Sequence, residues 1–169
     1  MLKVVGLMTI NKSLFSSKSD KWATPQHLFD VLNAEFNFDL DVCATEFDAK
    51  CSHFYSPEVD GLKQEWHGTC FMNPPYSCIR TWIKKASYES KEHKSTVVCL
   101  VPARTDTKWM QEYCCDADEI RLIKGRLHFN ESPNSAPFPS CIVIFKPTKR
   151  EEPYIHFWEV PKPIEEVNN

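Results

Sequence analysis

Apolar residues fall in short, separated runs whose spacing sorts the chain into alternating helices and strands. Leu28, Phe29, Val31, Leu32 and Phe36 recur at helical spacing behind Thr24-Pro25. That predicts a helix with Thr24 as N-cap and Pro25 as its first residue. Residues 38–43 alternate apolar and polar side chains, the mark of a short strand, and His53-Phe54-Tyr55 is a second candidate. Thr69-Cys70-Phe71-Met72 is an apolar strand stopped by Pro74 and Pro75, which have no N–H for a ladder. Ile79, Trp82, Ile83 and Ala86 then mark an amphipathic helix, with Ser77 as its cap. Residues 96–101 are almost wholly apolar, as a strand buried on both faces should be, and Pro102 ends them. Trp109, Met110 and Tyr113 predict a further helix. Residues 120–123 predict a strand, Lys124-Gly125 a turn, and residues 126–129 its partner. Residues 140–145 are the last clear strand.

Strands alternating with helices, followed by a strand-only finish, predict an α/β fold with a mostly parallel sheet and an antiparallel C-terminal end. Functional loops then belong at the carboxyl ends of the parallel strands. Asp41-Val42-Cys43-Ala44, Asn73-Pro74-Pro75-Tyr76 and Pro102-Ala103-Arg104 all fall there. No repeat or linker divides the chain. Residues 1–20 read as a polar leader, 21–146 as one domain, and 147–169 as a Pro- and Glu-rich tail whose Tyr154 to Trp158 stretch could dock on the body.

Composition narrows the classes. No apolar run in the 169 residues approaches the ~20 needed to span a bilayer. The eight cysteines form no Cys-x-x-Cys pair and no zinc-site spacing, so the expectation is reduced thiols in a cytoplasmic protein and no metal. The net charge is −3, but residues 80–150 hold 13 Lys or Arg against 8 Asp or Glu. A polyanion would meet the middle of the chain.

The rim motif Asn73-Pro74-Pro75-Tyr76 carries the chemistry. An exocyclic amino group conjugated to a nucleobase ring is a poor nucleophile. Two acceptors aimed at its hydrogens would free the lone pair and stabilise the positive charge that develops. The Asn73 amide oxygen and the Pro74 carbonyl can do this without a charged base. The prolines hold both in place beforehand, and Tyr76 offers a face to a base taken out of the duplex.

Asn-Pro-Pro-Tyr after a short hydrophobic strand resembles the catalytic motif of methyltransferases acting on adenine N6, cytosine N4 or glutamine amides. Further segments occur in the matching order: residues 22–29 (Trp-Ala-Thr-Pro-Gln-His-Leu-Phe), Leu40 to Ala44, Asp60-Gly61-Leu62, residues 101–107 and Lys124 to Leu127. Over residues 20–146 the chain looks like the small phage and prophage DNA N6-adenine methyltransferases of the Dam-like type. The resemblance implies a single-domain, Rossmann-like fold, S-adenosylmethionine as cofactor and double-stranded DNA as partner. It implies Asn73, Pro74, Pro75 and Tyr76 as catalytic residues, and Trp22, Thr24, Pro25, Asp41, Cys43, Ala44 and Asp60 around the cofactor. Glu46 and Asp48 are rivals for its ribose hydroxyls. The usual Gly-rich turn after the first strand is missing, and Cys43-Ala44-Thr45 must make it instead. Arg104, Lys108, Lys124 and Arg126 are the expected DNA contacts, with Phe138 a second stacking partner. Any sequence specificity must come from these loops or from a second subunit. A glutamine-amide substrate, cytosine N4, or a degenerate fold that only binds DNA or protein stay open as alternatives.

Overall fold

The structure is a computed structural model that describes residues 22–129, 133–148 and 150–162. The expected leader lies outside the described residues. Among the described residues three α-helices and six strands follow one another: α1 (Gln26–Phe36), β1 (Leu40–Asp41), β2 (Thr69–Met72), α2 (Ile79–Glu92), β3 (Thr96–Pro102), α3 (Lys108–Tyr113), β4 (Glu119–Ile123), β5 (Ser140–Phe145) and β6 (Tyr154–Trp158). They form one sheet in the order β1-β2-β3-β5-β4-β6. The pairs β1–β2, β2–β3 and β4–β6 are parallel, and β5 runs antiparallel to both β3 and β4. The fold is therefore α/β and Rossmann-like, with five strands in one direction. The single reversed strand, β5, sits inside the sheet, and β6 is a parallel edge strand.

Helices cover both faces. The alternation in β3 feeds one core on each side, as an inner strand requires. Val97, Cys99 and Val101 pack with Trp82, Ile83, Trp109 and Met110 from α2 and α3. Val98 and Leu100 pack with Leu28, Phe29 and Leu32 from α1. Cys70, Cys99, Cys114 and Cys141 are buried free thiols inside these cores. Arg121 of β4 fastens α1 to the far side of the sheet. Its guanidinium donates to both Glu35 oxygens at 2.7 and 2.6 Å, and stacks over Phe36 and Trp158.

Local differences from the sequence reading have physical causes. The strand predicted at 38–43 shrinks to Leu40–Asp41, because beyond it only the isolated bridge Asp41–Phe54 remains of the strand expected at 53–55. Residues 126–129 pair with no strand, since β5 and β6 already flank β4. The intervening turn has Gly125 at φ +79°, a conformation that favours glycine. Ser77 does not cap α2. A 3-10 turn over Tyr76–Cys78 leads in, and Cys78 holds the cap position without a side-chain bond. Thr24 is not the N-cap of α1 either; Pro25 occupies that position, and the Thr24 hydroxyl is engaged in the site described next.

Candidate active site

The apolar strand β2 delivers Asn73 to the carboxyl rim, where Pro74 is buried and Pro75 stiffens the exit. The Asn73 amide is held at both ends. Its Nδ2 donates to the Trp22 carbonyl at 2.6 Å and to the Thr24 hydroxyl at 2.9 Å. Its Oδ1 accepts from the Tyr76 hydroxyl at 3.2 Å. Burial pushes the Tyr76 phenol well up, so it stays protonated and acts as the donor. The Tyr76 ring meets Phe138 edge-on at 5.6 Å, and Phe138 meets Trp22 at 5.1 Å. Three aromatic residues from distant parts of the chain thus wall the amide. Phe138 arrives on the stretch ahead of the reversed β5, and Pro139 accepts from the Ala103 N–H at the end of β3.

Next to Asn73, β1 supplies the floor. Asp41 is 3 % exposed, and its two oxygens accept from the backbone N–H groups of Cys43 (3.3 Å) and Lys50 (3.1 Å). Burial pushes its carboxyl up to about 6, against these two bonds. Asp41 thus ties together the turn that replaces a Gly-rich loop. Burial, then the Asp41 charge, pushes the Cys43 thiol well up, while the Asn73 backbone N–H points at its sulfur. Cys43 is a packing residue between β1 and β2 and carries no thiolate chemistry. Gly61 is needed for close approach: a Cβ there would lie 2.1 Å from the Val42 carbonyl oxygen. Its neighbour Asp60 caps the turn through the Leu62 N–H and pairs with Lys63 at 3.0 Å.

Between β1 and these loops opens a cavity of about 1030 Å³. Trp22, Thr24, Asp41, Cys43, Ala44, Asp60, Asn73, Pro74 and Pro75 all line it. Pro25 does not; it lies on a smaller neighbouring cavity of about 270 Å³. The sequence reading missed Phe47, which is 91 % exposed on the rim of the larger cavity, and Phe54, Tyr55 and Pro57 along its wall. The only available signal was the aromatic set among acids in Glu46-Phe47-Asp48. The two rivals of that loop are now distinct. Asp48 accepts from both the N–H and the hydroxyl of Thr45 at 2.6 Å, whereas Glu46 makes no side-chain bond among the described residues.

The expected DNA contacts do not line the main cavity. Arg104 is exposed just beyond β3, and Lys108 heads α3 one turn later. Lys124 follows β4 and lies 3.7 Å from Glu159. Arg126 lines the smaller cavity with His27, His128 and Lys162. Arg104, Lys124 and Arg126 therefore share the carboxyl rim with Asn73 but flank it. Among the described residues no helix is long and apolar enough to cross a membrane, and no cluster of three or more His, Cys, Asp or Glu could hold a metal ion.

The carboxyl rim of an α/β sheet thus presents a clamped amide beside a large cavity. The family model for DNA N-6-adenine-methyltransferase (Dam) matches residues 11–164, and the chain belongs to that family. It is 37 % identical over 143 residues to the DNA N-6-adenine-methyltransferase of Haemophilus phage HP1, covering 78 % of this chain and 83 % of that one. It is 36 % identical over 111 residues to the enzyme of the same name from Escherichia phage T1, covering 64 % of this chain and 46 % of that one. Among solved structures, a predicted O-methyltransferase from Agrobacterium tumefaciens overlaps 59 % of this chain and 44 % of its own, at 18 % identity and a TM-score of 0.36.

Proposed function

We propose that the chain transfers a methyl group from S-adenosylmethionine to the N6 amino group of adenine in double-stranded DNA, acting in the cytoplasm of a bacterial or phage-infected cell. The observation that carries this reading is the Asn73 amide, whose two donors are tied to Trp22 and Thr24 and whose acceptor is held at the cavity edge. The residues present fit the cofactor. The cavity is of the size that encloses such a molecule. Its wall mixes aromatic and apolar groups for an adenine with carboxylates for hydroxyls and a cation. Glu46, with no competing bond, suits the ribose hydroxyls better than Asp48, which already holds Thr45. Asp41 puts a buried carboxylate on the floor, within a site built to receive positive charge.

When bound, S-adenosylmethionine supplies an electrophilic methyl group on a sulfonium. Everything else falls to the protein. Asn73 Oδ1 and the Pro74 carbonyl accept the two N6 hydrogens of the extruded adenine. Positive charge would grow on N6 as it took up the methyl group, and both acceptors would stabilise it where it appeared. The surplus N6 proton then leaves to water. Tyr76 gives up its bond to Asn73 as the base enters and turns its face to the ring, with Phe138 closing the other side. Arg104, Lys108, Lys124 and Arg126 hold phosphates around the site and supply affinity rather than sequence choice.

The test is transfer of labelled methyl from S-adenosylmethionine to unmethylated genomic DNA, with nucleoside analysis of the product. Label in N6-methyladenine is the expected result. Label in N4-methylcytosine, in protein only, or in nothing would overturn it.

A further inference from the structure

We infer that Thr24 is a positioning residue: its hydroxyl holds the Asn73 amide in the orientation that the Trp22 carbonyl selects, so that oxygen, and not nitrogen, faces the target amino group. The inference rests on the adenine reading above and extends it to a residue outside the Asn-Pro-Pro-Tyr motif. The two ends of a carboxamide have nearly the same size and shape, so packing alone does not choose between them. The chemistry does choose. An oxygen accepts an N6 hydrogen, whereas an amide NH2 would set donor against donor.

The surroundings of Asn73 break the symmetry. A backbone carbonyl can only accept, so the Trp22 oxygen at 2.6 Å demands the nitrogen end. The Thr24 oxygen at 2.9 Å takes the second hydrogen of the same nitrogen. Both amide hydrogens are then paired in a region where Thr24 is only 6 % exposed. A flip would leave the Trp22 carbonyl facing another oxygen with no hydrogen between them, whereas the Thr24 and Tyr76 hydroxyls can donate or accept. Trp22 therefore selects the polarity and Thr24 holds it. The clamp is stiff, because Thr24 precedes Pro25 and is confined to extended backbone. This gives the segment Trp22-Ala23-Thr24-Pro25 a task other than the cofactor contact expected of it. It reaches across 49 residues of sequence to set which atom of Asn73 meets the base.

The experiment compares Thr24→Val, which keeps the shape and removes the hydroxyl, with Thr24→Ser, which keeps the hydroxyl. Three quantities are read: the single-turnover methylation rate on saturating DNA, the dissociation constant of S-adenosylmethionine, and the side-chain amide NMR resonances of Asn73, assigned by their loss in Asn73→Ala. We expect Thr24→Val to slow the single turnover by about three- to tenfold, the scale of one hydrogen bond. Cofactor affinity should stay within about twofold, and one of the two Asn73 amide protons should move upfield and exchange faster. Thr24→Ser should match the wild type in all three. A wild-type rate in Thr24→Val overturns the inference. So does a cofactor affinity that falls in step with the rate, which would return the hydroxyl to the cofactor. Equal losses in the Ser and Val variants would likewise overturn it, by pointing to packing. The amide resonances need no turnover. A wild-type protein that leaves adenine unmethylated would therefore sink the proposed function, while the resonances would still decide for or against the clamp.

Discussion

The two ends of the sheet each bury a carboxylate, and they treat it in opposite ways. At the amino end Glu89 of α2 is fully buried, accepts from the Trp66 backbone N–H at 2.9 Å, and is paired with Lys85 and His93. Burial alone would raise its pKa. The bonds from Lys85, Trp66 and His93 outweigh that and hold it below the usual carboxylate range. At the carboxyl end Asp41 receives only two backbone N–H groups. The Lys50 ammonium bonds to Gln26 Oε1 at 2.8 Å, and its charge is the smallest of the influences on Asp41. One carboxylate is neutralised and stabilises the fold. The other is left short of positive charge on the floor of a cavity. A buried carboxylate without a cationic partner is tolerated where a ligand will bring one.

The contrast predicts that changes at the two ends separate activity from stability. The largest effect should come from Asn73→Ala. Methyl transfer should fall by about a hundredfold or more, while cofactor binding, measured by calorimetry, stays close to wild type and the melting temperature falls by only a few degrees, as the Trp22 carbonyl and Thr24 hydroxyl lose their partner. Measurable wild-type-like turnover would remove Asn73 from the chemistry. At the other end, Glu89→Ala should cost about 3–5 kcal/mol of folding stability in denaturant titrations, because it strands Lys85 and the Trp66 N–H. The fraction that remains folded should keep its transfer rate. Glu89 has a lowered folded pKa, so its contribution is present above its unfolded value of 4.5 and is lost as pH falls through the folded one.

Asp41 has the opposite sign. Its folded pKa of about 6 lies above the 3.8 usual for an aspartate, so its ionisation weakens the empty fold as pH rises through that window. A cationic cofactor reverses this, because it favours the carboxylate. Affinity for S-adenosylmethionine should therefore drop by roughly tenfold as pH falls through that pKa, and Asp41→Asn should flatten the profile. An affinity that is flat in pH for the wild type would show that Asp41 does not face the positive charge. The smallest effect should be that of Tyr76→Phe. Loss of the hydroxyl frees Asn73 Oδ1, so base capture on 2-aminopurine DNA should tighten by up to about threefold. A marked loss instead would mean that the hydroxyl serves the bound state.

The elements with long or uninterrupted apolar patterns were legible. The helical spacing of Leu28, Phe29 and Leu32 and the doubly buried β3 found their places, and three motifs read from strand ends converge on one rim. What escaped depended on distance in sequence. The Thr24 hydroxyl has the chemistry of a cap, and nothing local reveals that Asn73, folded against it, takes that oxygen. Phe54 and Phe47 carry no periodic signal, since a two-residue strand imposes almost no alternation. The position of β5 inside the sheet was also hidden, because direction and order depend on how the strands pair and not on their composition. Nor does sequence alone reveal that Gly61 serves a long-range contact: its lack of a side chain lets the Val42 carbonyl approach.

The two-residue β1 has a thermodynamic consequence. With only one isolated bridge outside it, the cavity wall from Cys43 to Asp60 depends on Asp41 and a few loop bonds for its order. Such a wall opens locally at far lower free energy than the strands beside it. Occupancy of the cavity then becomes part of folding, in proportion to the logarithm of ligand concentration over its dissociation constant. A cell rich in methyl donor would hold this edge shut, and a depleted one would leave it open to proteases. With the methyl donor in this cavity, as proposed, the short strand would couple the lifetime of the protein to the supply of that donor.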